Sequence, residues 1–130
     1  MFFKTTALCA TLLAAGMLAQ PAAAQDLIGS YAAYISENDL YNSNGARLSE
    51  PWQVLRQERA NFHEFGMGDP EDEWDPFFSD RNNRAAMEQM VMNGYMDPQA
   101  RANILSGGGM VVVNIYGYGG VGDYLDITAY

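Results

Sequence analysis

His63 and Glu64 are where acid–base chemistry would start, because His63 is the only histidine in the chain and a carboxylate follows it directly. An imidazole titrates near neutrality, and one oriented by Glu64, or by an acid from the segment after it, can serve as a general base. These two residues are the catalytic candidates of a small periplasmic hydrolase. The H-E-x-x-H zinc pattern stops at Met67 for want of a second histidine, and no G-x-S-x-G elbow offers a serine nucleophile. Upstream, Trp52, Arg56, Arg59 and His63 recur at i, i+3 and i+4 spacing, which aligns them as one ridge on a helix. Arg56, Arg59 and His63 form either a binding site for an anion or carboxylate, or a cationic ridge that the following acids fold back to neutralise. The second reading is favoured.

Those acids are Asp69, Glu71, Asp72, Glu73 and Asp75. The alternation of Asp69, Glu71, Glu73 and Asp75 has the rhythm of calcium-ligating oxygens, so these four are the metal candidates, with weak calcium binding through residues 69–80 as a third reading. It is not an EF-hand: the sixth position is Trp74 instead of glycine, and Asp80 stands where a bidentate glutamate belongs. Met87, Met90, Met92 and Met96 cannot meet at one soft metal, since helical geometry puts the first two on one face and the others nearly opposite; Met87 and Met90 suit the core. Gly117 to Gly122 spells G-x-G-x-x-G, but no helix follows to hold a pyrophosphate, so a hairpin connection is expected instead. No cofactor is implied.

Tyrosines make the last set. Tyr116 and Tyr124 alternate onto the face opposite the aliphatic one, and Tyr118 extends from the connecting loop. Such a surface stacks on carbohydrate or packs against a partner protein. A protein or a small polar or carbohydrate ligand is the expected partner.

Charge narrows the field. The chain has 130 residues, 7 Lys plus Arg against 16 Asp plus Glu, and a net charge of −9. That excess disfavours nucleic acid and anionic membrane surfaces. Met1 to Lys4 followed by the apolar run Ala7 to Ala19 and by Ala22-Ala23-Ala24 has the form of a bacterial export signal, cleaved before Gln25. The apolar run is too short for a bilayer span, which takes about 20 residues. Cys9 and Lys4, the single cysteine and lysine, lie within residues 1–24. The mature chain, residues 25–130, then lacks thiol and amine nucleophiles, and a periplasmic or secreted location is expected.

The elements that must position these groups follow from periodicity and breakers. Leu27 to Ile35 reads as a strand, and Asn44-Gly45 as a tight turn. Ser49-Glu50-Pro51 opens a helix running to about Phe65. Gly68 to Asp80 reads as a loop; Asp80 caps a second helix ending at Gly94, and Asp97-Pro98 begins a third that stops at the glycines 107–109. Met110–Tyr116 and Tyr124–Tyr130 read as two β-branched, aromatic strands forming a C-terminal hairpin. The expectation is one small α+β domain, with an antiparallel sheet covered on one face by about three helices.

The stretch Leu40-Tyr41-Asn42-Ser43-Asn44-Gly45-Ala46-Arg47-Leu48, followed by Val54-Leu55-Arg56-Gln57-Glu58-Arg59-Ala60-Asn61-Phe62-His63, resembles small exported bacterial proteins of uncharacterised function. The resemblance implies that a turn feeding the arginine–histidine helix is a family feature. It carries no catalytic residue across, and the reading that follows is an exported non-catalytic binding or structural module.

Overall fold

The computed structural model describes residues 25–130, so the expected export signal at residues 1–24 lies outside the described residues. The chain is α+β. Strand β1 (Asp26–Tyr34) leads through a short 3-10 helix (Glu37–Leu40) and a turn into α1 (Pro51–His63). After the acidic loop come α2 (Arg81–Arg84), α3 (Met87–Asn93), the two-residue strand β2 (Tyr95–Met96), α4 (Pro98–Ser106), and the hairpin β3 (Met110–Tyr118) and β4 (Val121–Ala129). The sheet order is β1-β3-β4-β2. β1 and β4 flank β3 antiparallel, while β2 runs parallel to β4. Among the described residues no helix is long and apolar enough to cross a membrane.

Local chemistry accounts for most boundaries. Asn42 builds the turn: its Oδ1 accepts from the backbone of Asn44 at 3.0 Å and of Ala46 at 2.9 Å, and Gly45 takes a φ of 77° that a side chain would resist. Pro51 occupies the first turn of α1, where its missing N–H costs nothing, and Gln53 Oε1 accepts from the amides of Ser49 and Glu50. Asp97 caps α4 by accepting from Gln99 and Ala100. Gly119 and Gly120 both have positive φ, which a two-residue hairpin turn needs. The G-x-G-x-x-G stretch is therefore a tight reversal, and the strands extend to Tyr118 and from Val121 beyond the expected limits.

Two expectations are corrected. The single helix after Asp80 is two pieces, because Arg84 is drawn inward to donate to the carbonyls of Phe78 and Ser79 and to Glu64, and the chain turns at Ala85-Ala86 before α3 starts. The sheet is mixed instead of wholly antiparallel, since β2 adds a short parallel edge that two residues of sequence cannot announce. β2 can form only because Gly94 passes against β4: a Cβ there would stand 1.8 Å from the Leu125 carbonyl oxygen. Gly94→Ala is expected to lower the unfolding free energy by about 1–3 kcal/mol, read from the urea midpoint.

The helices pack on one face of the sheet. Val111, Val113 and Ile115 of β3, Leu125 and Ile127 of β4, and Tyr31 and Ala33 of β1 are buried there against Leu55, Phe78, Met87, Met90 and Ile104. Met87 and Met90 are core residues, as their shared helical face implies, whereas Met92 is exposed.

Candidate functional site

The arginine–histidine ridge and the acidic loop meet. Arg59 donates from Nε and Nη2 to the two carboxylate oxygens of Glu58, each at 2.6 Å. Its Nη1 donates to Asp75 Oδ1 and to the Glu73 carbonyl, each at 2.9 Å. His63 Nε2 lies 2.8 Å from the same Asp75 oxygen, and Asp75 Oδ2 accepts from the Phe78 amide at 2.6 Å. The guanidinium carbon lies 3.8 Å from the Tyr31 ring centroid and 4.6 Å from that of Phe62. Glu58, Arg59 and Asp75 are buried, and the His63 side chain is 5% exposed, edge-on to Phe62 and Trp74.

Burial sets the electrostatics. It pushes the Glu58 carboxyl up to about 8 against the pull of Arg59. Burial alone would weaken the Arg59 cation, but the hydrogen bonds and charge of Glu58, together with Asp75, outweigh it and hold the guanidinium above its ordinary value. The two directions coexist because Arg59 has two carboxylates to compensate its desolvation and Glu58 has one guanidinium. Asp39 and Asp72 are also pushed up by burial, against hydrogen bonds from Asn61 and Ser36 in the first case and from the Asp69 and Tyr34 amides in the second. Desolvation likewise raises Tyr31 well above the usual phenol value.

This arrangement bears on three candidate sites, and for the ridge it has the favoured form, neutralisation by the acids that follow. Arg59 and His63 present no open cationic surface, since Asp75 and Glu58 consume their donors; of the ridge only Arg56 stays exposed, its guanidinium 4.9 Å from the Trp52 ring centroid. Glu64 does not orient His63 as a base: successive helical positions point apart, and Glu64 pairs with Arg81 and with Arg84, the latter at 2.7 Å. The acids at 69–75 do not converge on a cation, and among the described residues no cluster of three or more His, Cys, Asp or Glu is arranged for a metal. Glu73 instead accepts from the Ala32 amide at 2.7 Å and Asp72 from the Tyr34 amide at 2.8 Å, while the Glu73 amide donates to the Ala32 carbonyl. The loop thus covers the free edge of β1, which unpaired would be a template for aggregation. Asp69 and Glu71 stand outside this clasp. Glu73→Ala should cost about 1 kcal/mol in a thermal melt, since the backbone bond survives.

Glu58 and Asp39 were not candidates from sequence, and Asp72 was expected only as one of the acids that neutralise the ridge. An adjacent Glu-Arg pair signals nothing on a helix, where neighbours diverge; the two side chains converge here only because the loop roofs them. Asp39 shows the one readable signal, Ser36-x-x-Asp39, in which its Oδ2 accepts from the Ser36 amide.

The opposite face of the sheet carries no helix. Across it, Leu27 of β1, Tyr116 of β3 and Tyr124 of β4 fall in one register row. The Tyr116 and Tyr124 rings stack with centroids 4.9 Å apart and planes 11° from parallel. Tyr95 joins beside Asp126, and Leu27, Tyr95, Tyr118 and Tyr130 are all exposed. The strands contain Asp26, Asp123 and Asp126 and no lysine or arginine. Among the described residues the arginines all lie on the helices and the turn: 47, 56, 59, 81, 84 and 101. Compared with protein-family models, curated proteins and solved structures, the chain matches none of them, so its function is argued from this geometry.

Proposed function

We propose that the protein is an exported, non-catalytic module whose tyrosine sheet face docks a basic segment of a partner protein. The observation that carries this reading is the uncovered row of Leu27, Tyr116 and Tyr124, with Tyr95 and Tyr118 around it, on strands whose charged residues are all acidic. Tyrosines supply large, rigid contact area with a polar tip, and their faces attract guanidinium groups. The acids around them select a cationic partner by charge complementarity and speed its approach. The non-catalytic part is supported by His63, whose Nε2 is committed to Asp75 inside a nearly closed shell.

A hexa-arginine peptide titrated into the 15N-labelled protein is expected to shift the amides of Tyr95, Tyr116 and Tyr124, with affinity falling as salt screens the acids. The double variant Tyr116→Ser/Tyr124→Ser should lose that response while staying folded, at a cost of about 1 kcal/mol for the cross-strand pair. Unchanged shifts in the double variant, or an equal response to hexa-glutamate, dispose of the sheet face as the docking surface.

A further inference from the structure

Two cavities open side by side along α1, away from the sheet face, and share Ser43, Gln57 and Phe65. They make one groove with two chemistries. The larger part, about 560 Å³, is lined by the amide-bearing residues Asn38, Asn42, Gln57 and Asn61, with Tyr41, Phe65 and Met67 beside them and one acid, Glu37, at the end away from the arginines. The smaller part, about 290 Å³, is lined by Arg56, Arg81 and Arg84 around the single carboxylate of Glu64. Half of the protein's arginines thus meet in one place on a chain of net charge −9.

The polar walls are pinned with valences to spare. Asn61 donates to Asp39 Oδ1 at 2.9 Å and accepts from Gln57 Nε2 at 2.8 Å, which leaves Gln57 Oε1 for a ligand. Asn42 spends its Oδ1 on the turn and keeps its amino group. The guanidinium of Arg47 stands over the Tyr41 ring at 5.9 Å and is itself held by the carbonyls of Leu48 and Leu105. Glu64 takes one donor from each of Arg81 and Arg84, and Arg81 remains 77% exposed. Arg56 has no carboxylate partner among the described residues.

We infer that this groove is a binding site for an acidic oligosaccharide, with a hydroxyl-rich ring in the amide part and a carboxylate at Arg56 and Arg81. An amide presents a donor and an acceptor side by side, the complement of neighbouring hydroxyls that each donate and accept. Phe65, half exposed at the shared boundary, offers an apolar face for the C–H side of a sugar ring. The guanidinium fork matches a carboxylate. The combined size lies within the usual range for small-molecule sites, about 300–1,000 Å³. This site is independent of the sheet face and carries the opposite charge.

The test is calorimetry and amide-shift mapping with tetragalacturonate, maltotetraose and inorganic phosphate. Tetragalacturonate is expected to bind and to shift Arg56, Gln57 and Phe65, with maltotetraose about tenfold weaker. Arg56→Gln/Arg81→Gln should erase that preference, leaving the two sugars alike, and Phe65→Ala should weaken both about tenfold. All three side chains are exposed, so the variants keep the fold; Tyr116→Ser/Tyr124→Ser should bind tetragalacturonate as the unmodified protein does. No binding of either sugar at ~10 mM, binding indifferent to the groove substitutions, or phosphate binding as tightly as tetragalacturonate would each overturn the inference.

Discussion

Arg59→Met is expected to be the most destabilising conservative substitution in this protein, costing about 3–5 kcal/mol, the range for breaking a buried ion pair by removing one partner. Methionine fills much of the space but supplies none of the donors that reach Glu58, Asp75 and the Glu73 carbonyl. Both Glu58 oxygens then lose their partner, while Asp75 keeps His63 and the Phe78 amide. The cationic contacts with Tyr31 and Phe62 go as well. A small domain holds about 5–15 kcal/mol in total, so urea denaturation at about pH 9, above the Glu58 value of about 8 and therefore with that carboxyl ionised, should show a midpoint moved a large fraction of the way to zero. Two companions identify the cause. His63→Ala removes one contact from an Asp75 that retains others, and should cost about 1–2 kcal/mol. Glu58→Gln/Arg59→Met removes the orphaned charge along with its partner and should be more stable than Arg59→Met alone; if it is not, the loss comes from packing and not from charge.

Stability should fall as the pH rises from about 4.5 to about 8, the reverse of a protein held together by depressed carboxylates. The carboxyls displaced here, Asp39, Glu58 and Asp72, are all pushed upward by burial, Glu58 to about 8. A carboxyl that holds its proton more tightly folded than unfolded contributes stability that is fully present below its unfolded value and lost as the pH passes through its folded one. At about 1.4 kcal/mol per pH unit, Glu58 alone supplies up to a few kcal/mol of this slope. The Tm should drop by about 4–8 °C for each kcal/mol lost. Relief of general repulsion at net charge −9 acts in the same direction, so Glu58→Gln is the control: it should flatten the profile between pH 5 and 8 while leaving a shallower slope. A variant profile parallel to that of the unmodified protein would assign the whole effect to net charge. The groups facing Glu58 are Arg59, Asp72 and Asp39, and Asp72→Asn should flatten the profile less.

Most of the secondary structure was legible because it is decided locally. β-branched alternation defines β3, Asn44-Gly45 defines the turn, Pro51 and Asp97-Pro98 open their helices, and glycines at 107–109 close α4. The break between α2 and α3 was not legible, because it depends on Arg84 finding carbonyls and a glutamate brought from other segments. Nor was β2, whose two residues become a strand only when Gly94 lets the chain approach Leu125.

For the sites, residue types narrowed the chemistry but not the pairing. The sequence put Arg56, Arg59 and His63 on one ridge and a row of acids after it, so a charged contact was foreseeable. It could not say that Asp75 would join Arg59 and His63, that Asp72 and Glu73 would clasp a strand edge, or that Arg56 would be left with Arg81. What the amino-acid order determined by itself is the inventory and the local geometry: one imidazole, an acidic balance, two-fold alternation that puts tyrosines opposite valines, and helix ends marked by their caps. The tertiary structure alone decided which charges are buried together and which remain in water, because desolvation and ion pairing depend on distances across the fold, and segments remote along the chain set those distances only when the core closes.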